Sequence, residues 1–339
     1  MSGETGLVVV AESATMIWNA VAVYRGRIFV AGPRWSGSQG PALGELIDGT
    51  PQPYPDAAWN RWRDGDDSGA AFVNVNAIHL EGSSLWVVDT ATPMFGGNTV
   101  ANGAKIVQID LATNRVTRVY ALPSAVVKDG SYIDDIRING RNAYLTDAGN
   151  AGILVLDLTT GTSRRVLDHH PATMAPPDRL IVVDGETVTA PDGLPLRVQS
   201  DPMELSSDGR WFFFGPLEGP WSKIETRFLD DATLAAQDVA AKVLPWADIP
   251  PIGGSAMAAN GDFYFTDLNE CALKRRDAAT GAVTTLVRNK ALHWVDAPYL
   301  DEDAGAIYLP VPQLDRAALF HHGTSKIEWP VRLYRFPVR

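Results

Sequence analysis

Asn19, Asn76, Asp134, Asp201, Ser255 and Asp296 each stand at the head of an alternating apolar run, and between them they hold most of the oxygen chemistry worth pursuing in this chain. If the fold draws these heads to one place, three carboxylates and two amides form a hard-oxygen site of the kind Ca²⁺, Mg²⁺ or Mn²⁺ takes. Without a cation, like-charged carboxylates sharing a site push at least one pKa upward, and that group becomes a general acid or base. The competing reading is that Asp and Asn cap strand starts and bind nearby backbone N–H groups. His293 lies beside Trp294 and close before Asp296, which makes it the histidine best placed to shuttle a proton. The adjacent pairs His169-His170 and His321-His322 cannot easily aim at one ion, and His79 sits in an apolar run as a core histidine.

Aromatic residues add a possible pocket lining. Trp18, Trp35, Trp59, Trp62, Trp221, Trp246 and Trp294 fall in loops or beside strand starts, where they either line a pocket for a flat or sugar-like ligand or pack between sheets. No GxSxG, P-loop, GxGxxG or HExxH pattern is present, which disfavours an activated serine and the familiar nucleotide loops. The single cysteine, Cys271, forbids an intrachain disulfide or a multi-thiolate metal site and has no cationic neighbour to activate it.

The elements that must position these residues are hairpins. Segments 19–32, 76–89, 134–147, 201–215, 255–267 and 296–309 share one form: a small polar head, an alternating apolar run, a turn rich in Gly, Asn or Asp, and a second apolar run. Further hairpins follow at 105–120, 152–167 and 273–287. Repeats of this size are the mark of propeller blades, so the expected fold is all-β, a six-bladed β-propeller with an axial channel. Residues 1–339 form one domain in this reading, with no linker. The ring closes by pairing the run after Gly6 with the alternating run after Trp329, which would protect both edges. One helix is expected, from Leu229 to Val243.

Composition narrows the partners. The chain has 339 residues and a net charge of −11, which argues against a nucleic-acid binder. Apolar residues make up 45%, enough for a large core, and no window approaches the ~18 apolar residues of a membrane span. The N-terminus lacks a basic region and a long apolar stretch, so no signal peptide is expected and the placement is cytoplasmic. The expected partner is a small molecule, with no nucleic acid and no membrane; oligomeric state is left open.

Several segments resemble the major royal jelly protein/Yellow family. They are Arg27 through Pro33-Arg34-Trp35, Tyr54-Pro55 with Trp59-Asn60, Leu85-Trp86-Val87-Val88-Asp89-Thr90, Ala143 through Gly149, and Asp201 through Gly215-Pro216-Leu217. The resemblance implies a six-bladed propeller and either ligand binding or dopachrome-type conversion. The chain departs from the secreted members in lacking a signal peptide and disulfides. More distantly it is similar to gluconolactonase-like propellers, which implies an axial divalent cation (Ca, Mg or Mn) held by Asn19, Asn76, Asp134 and Asp201. Asp201 matches the position of the proton-carrying Asp, with Asp296 and His293 as alternatives, while Asn19 stands where a Glu ligand would be expected. The leading expectation is a metal-assisted, lactonase-like hydrolase or a proton-transfer enzyme acting on a small cyclic metabolite. The alternatives are a non-catalytic propeller that binds an aromatic amine through charge and cation–π attraction, a dopachrome-type tautomerase, and a protein-interaction scaffold.

Overall fold

Tight turns set the architecture. Where the first hairpin reverses, Arg25 and Gly26 hold φ of 51° and 81°, the pair of positive values a two-residue hairpin turn requires. The structure, a computed structural model, describes residues 6–338.

Six four-stranded antiparallel sheets follow one another around an axis, with the inner strands of neighbouring sheets in contact. From inside outward, blade one comprises Ala20–Tyr24, Arg27–Ala31, Leu43–Ile47 and Thr50–Pro53. Blade two is Val75–Glu81, Ser84–Asp89, Lys105–Asp110 and Arg115–Ala121. Blade three is Ile133–Asn139, Asn142–Asp147, Gly152–Asp157 and Ser163–Val166. Blade four is Ser200–Leu205, Trp211–Pro216, Trp221–Glu225 and Leu244–Ala247. Blade five is Ile252–Met257, Phe263–Asp267, Ala272–Arg276 and Val283–Arg288. In blade six, Tyr299–Asp301, Ala306–Val311 and Val331–Pro337 are completed by Val8–Ser13, whose Val8 faces Arg335 and Ser13 faces Val331.

Because side chains alternate across a strand, each blade buries both faces against its neighbours. Phe29, Val75, Ile78, Leu85 and Val107 fill the space between blades one and two, and Val88, Ile106, Ile136, Leu145 and Leu154 that between two and three. Each such side chain contributes about 1.5–3 kcal/mol on burial.

The expected helix from Leu229 to Val243 is instead two single turns, Thr226–Asp230 and Ala236–Ala240. Asp231 stops the first by accepting the Thr233 N–H at 2.9 Å, a local bond that competes with helix. Among the described residues, no helix is long and apolar enough to cross a membrane.

One irregularity recurs where it matters. The inner strands of blades two to five slip register between Val75 and Ala77, Ile133 and Ile136, Ser200 and Met203, and Ile252 and Ser255. A bulge re-aims the residue it releases from the ladder, and the released positions include Asn76, Asp134, Asp201 and Gly253.

Candidate functional site

Asn19, Asn76, Asp134, Asp201, Gly253 and Asp296 form a ring around the axis. The ring is the floor of an upper cavity and the roof of a lower one. Five of these are the expected heads. In blade five the bulge puts Gly253 at the ring in place of Ser255, which lines only the lower cavity and donates to Glu204 at 2.8 Å. A Cβ on Gly253 would lie 1.9 Å from the Val295 carbonyl oxygen, so no side chain fits there.

Hydrogen bonds give the ring a direction. The Trp35 indole N–H donates to the Tyr132 hydroxyl at 2.8 Å, and an indole can only donate. The hydroxyl proton therefore goes to Asn76 Oδ1, also at 2.8 Å, and Asn19 Nδ2 donates to the same oxygen at 3.4 Å. That turns the Asn76 amide nitrogen toward Asp134 Oδ1, 2.7 Å away. Asp134 and Asp201 stand within hydrogen-bonding reach of each other. Burial holds both well above the usual carboxylate range; the nearby charges of Asp296 and Asp135 push Asp134 further up, and those of Asp134 and Asp296 do the same to Asp201. Asp296 is pushed up to about 7 by burial, although Ala297 N–H at 2.9 Å and the Trp294 indole at 3.2 Å both donate to it.

The upper cavity is apolar above this floor. Its walls are Trp35, Phe95, Tyr132, Trp294 and Phe320, with Leu196, Val198, Leu217 and Leu314 between them. Trp35 belongs to the Pro33-Arg34-Trp35 motif; it rides a single helical turn whose Arg34 N–H donates to Asn74 Oδ1 at 2.7 Å. In the other motif, Asn60 Nδ2 donates to the Tyr54 carbonyl at 2.9 Å and shapes the loop leaving blade one. Trp294 keeps φ at 50°, a strained value for a bulky side chain, of order 1–3 kcal/mol, that the surrounding packing sustains. Below the ring, Arg137 bridges Asp135 at 2.7 Å and Glu204 at 3.2 Å. His79 lies partly exposed near Arg137, its pKa pushed down to about 3 by burial and then by that guanidinium, so it is neutral.

Other expected groups lie elsewhere. His293 lines neither cavity; its Nε2 meets the Asp315 carboxylate at 2.8 Å. Of the seven tryptophans, only Trp35 and Trp294 reach the upper cavity. Trp18 is fully buried and donates to the Arg332 carbonyl at 3.2 Å, Trp62 packs in the core between blades two and three, and Trp59 lies against Phe72. Trp221 and Trp246 pack on Phe263. The Cys271 thiol is buried and pushed up to about 11, an unreactive state.

Among the described residues, no three His, Cys, Asp or Glu side chains are grouped to hold a metal ion, so a cation would have to draw on amide oxygens as well. Asn19 Oδ1 is buried without a hydrogen-bond partner, and with Asp134 and Asp201 it makes a hard-oxygen set that fits a small divalent cation. Asn76, expected as a ligand, turns its oxygen to Tyr132 and Asn19 instead.

Tyr132, Phe95 and Phe320 escaped the sequence analysis. For Tyr132 a signal existed: it stands two residues before Asp134, as Trp294 does before Asp296, and residues two apart share a face of a strand. Phe95 and Phe320 sit in irregular segments without periodicity.

The family model described as Major royal jelly protein matches residues 81–309. Among solved structures, the selenomethionine-substituted virginiamycin B lyase from Staphylococcus aureus superposes with a TM-score of 0.55 at 12% identity, covering 98% of this chain and 99% of that one. A streptogramin B lyase structure gives a TM-score of 0.49 at 13% identity over 94% of this chain and 78% of the other. At 12% identity the likeness to the virginiamycin B lyase shows the propeller fold alone. No curated protein matches the sequence.

Proposed function

This chain belongs to the major royal jelly protein family, and on that footing we propose that it takes a small cyclic metabolite into the upper cavity and carries out acid–base chemistry on it at Asp134 and Asp201. The observation that supports this most is the adjacent carboxylate pair, half-buried and raised in pKa, at the floor of an otherwise apolar cavity. Asp134 accepts the Asn76 N–H, which favours its ionised form and makes it the base; Asp201 then keeps the shared proton and is the acid. On an enolisable ring, Asp134 takes the proton from carbon while Asp201 protonates the oxygen. On a lactone, Asp134 takes a proton from water as the water attacks the carbonyl, and Asp201 protonates the departing ring oxygen. The aromatic walls hold the ring by its faces and exclude bulk water. In place of the shared proton, Asn19, Asp134 and Asp201 would hold a Ca, Mg or Mn ion, which when bound would supply polarisation of the ring carbonyl. The apolar walls favour a ring with an apolar face over a polyhydroxylated sugar lactone.

Turnover of a panel of apolar-faced lactones and enolisable cyclic ketones, with and without chelator, tests this reading. Asp201→Asn is expected to lower turnover by about 10²–10⁴-fold; unchanged turnover in that variant rejects it. A second reading, a non-catalytic binder of an aromatic amine, is supported by the same aromatic walls over an acidic floor. Saturable binding of such amines with no turnover of any panel compound would favour it.

A further inference from the structure

The upper cavity has a polar floor and aromatic walls. Beneath it lie the ring and then Arg137 locked between Asp135 and Glu204. Above it Trp35, Phe95 and Phe320 meet, with ring centroids 5.7 Å apart for Trp35 and Phe95 and 6.0 Å apart, nearly perpendicular, for Trp35 and Phe320. Beyond Trp35 and Phe320 is an open outer hollow, walled by Met94, Ala190, Pro191, Leu319 and His322. Trp35 and Phe320 line both spaces, so they form a partition one aromatic layer thick.

The two sides of that partition are held differently. Trp35 is tethered through its indole N–H to Tyr132. Phe320 has no polar atom to tether; it ends a single 3₁₀ turn, Ala318–Phe320, and is held by apolar packing alone, among Leu314, Ala317 and Leu196. A rotation of the Phe320 side chain therefore joins the two spaces without breaking a side-chain hydrogen bond. The outer walls offer carbon and the Met94 thioether, and few polar partners.

We propose that the outer hollow is a second ligand subsite, an entry station that receives a neutral, apolar-faced ring and passes it by Phe320 into the axial cavity. This rests on the reading that the ligand of this protein occupies the axial cavity. The subsite governs how fast a ligand enters and leaves, while the axial cavity governs how tightly it is held.

The test is a stopped-flow measurement of nitrobenzene binding to the full chain, followed by quenching of tryptophan fluorescence. Ala190→Trp fills the exposed hollow; it is expected to slow association and dissociation by a common factor of about ten, leaving Kd within about twofold. Phe320→Ala is expected to speed association by a similar factor, with a change in Kd as well because Phe320 is also a wall of the axial cavity, and Phe320→Leu serves if the alanine variant does not fold. Unchanged rates in Ala190→Trp, a changed Kd at unchanged association rate, or no saturable quenching by nitrobenzene would overturn the subsite. The acid–base reading fails separately, through unchanged turnover in Asp201→Asn.

Discussion

Burial lifts Asp296 to about 7, and that sets the sign of a pH experiment. An acid whose pKa is higher folded than unfolded stabilises the fold fully below about pH 4 and loses that contribution as pH rises through its folded pKa. Asp134 and Asp201 act in the same direction. His79, pushed down to about 3, acts oppositely: its contribution is lost as pH falls below about 6.5. The difference between Asp296→Asn and the parent cancels His79, since both proteins contain it. Asparagine keeps an oxygen for Trp294 and Ala297 but carries no charge, so its Tm should gain on the parent by about 3 °C or more between pH 5 and pH 8. A gap that stays flat or shrinks across that range would show that Asp296 ionises freely. Residue by residue, the acids of the site were legible because each opens a hairpin. The polarity of Asn76 was not, because it is decided by Tyr132 and Trp35, which come from another blade and another loop.

Three second strands end in an acid: Asp89, Asp147 and Asp267. Asp89 accepts the N–H groups of Val73 and Asn74 at 2.9 Å and of Ala91 at 3.0 Å, and Lys105 Nζ closes on it at 2.6 Å. Asp147 accepts the Tyr132 N–H at 2.9 Å and pairs with Arg165 at 2.7 Å, and Asp267 pairs with Lys274 at 2.7 Å. These braces tie the loops that carry ring and wall residues to the rigid sheet. Removing one partner of a buried pair strands the other charge, so Lys105→Met should cost about 3–5 kcal/mol in chemical denaturation. Amide exchange at Asn74 and Ala91 should quicken as well. Arg141→Met, which breaks an exposed pair with Asp157, should cost less than about 1 kcal/mol. Equal costs for the two variants would refute the brace. At this scale the hairpins were legible, since turn residues and alternation mark them. The bulges were not: strict alternation carried Ser255 to the ring, whereas the slip after Ile252 brings Gly253 there. The Ala-rich run reads as one helix in the sequence because propensity alone says nothing of the local bond at Asp231.

For the whole molecule, repetition decided the fold. Six similar hairpins point to a ring whatever the loops contain, and the loops, which repeat nothing, hid Phe95 and Phe320. Deleting residues 1–13 removes the outermost strand of blade six and bares the edge of Val331–Pro337. The expected result is a Tm lower by about 5 °C or more and concentration-dependent association through that edge. A variant that remains monodisperse at the parent's Tm would show that the strand contributes nothing to closure. The same pairing has a temporal side. Glu12 and Arg332 meet at 2.7 Å across nearly the full length of the chain. On the ribosome, blades one to five can assemble in order as they emerge, whereas Val8–Ser13 must wait until Val331–Pro337 has been made before its partner appears. Of the propeller's strands, the one made first is therefore the one that docks last, and until then the growing propeller is an open arc with two unsatisfied ends.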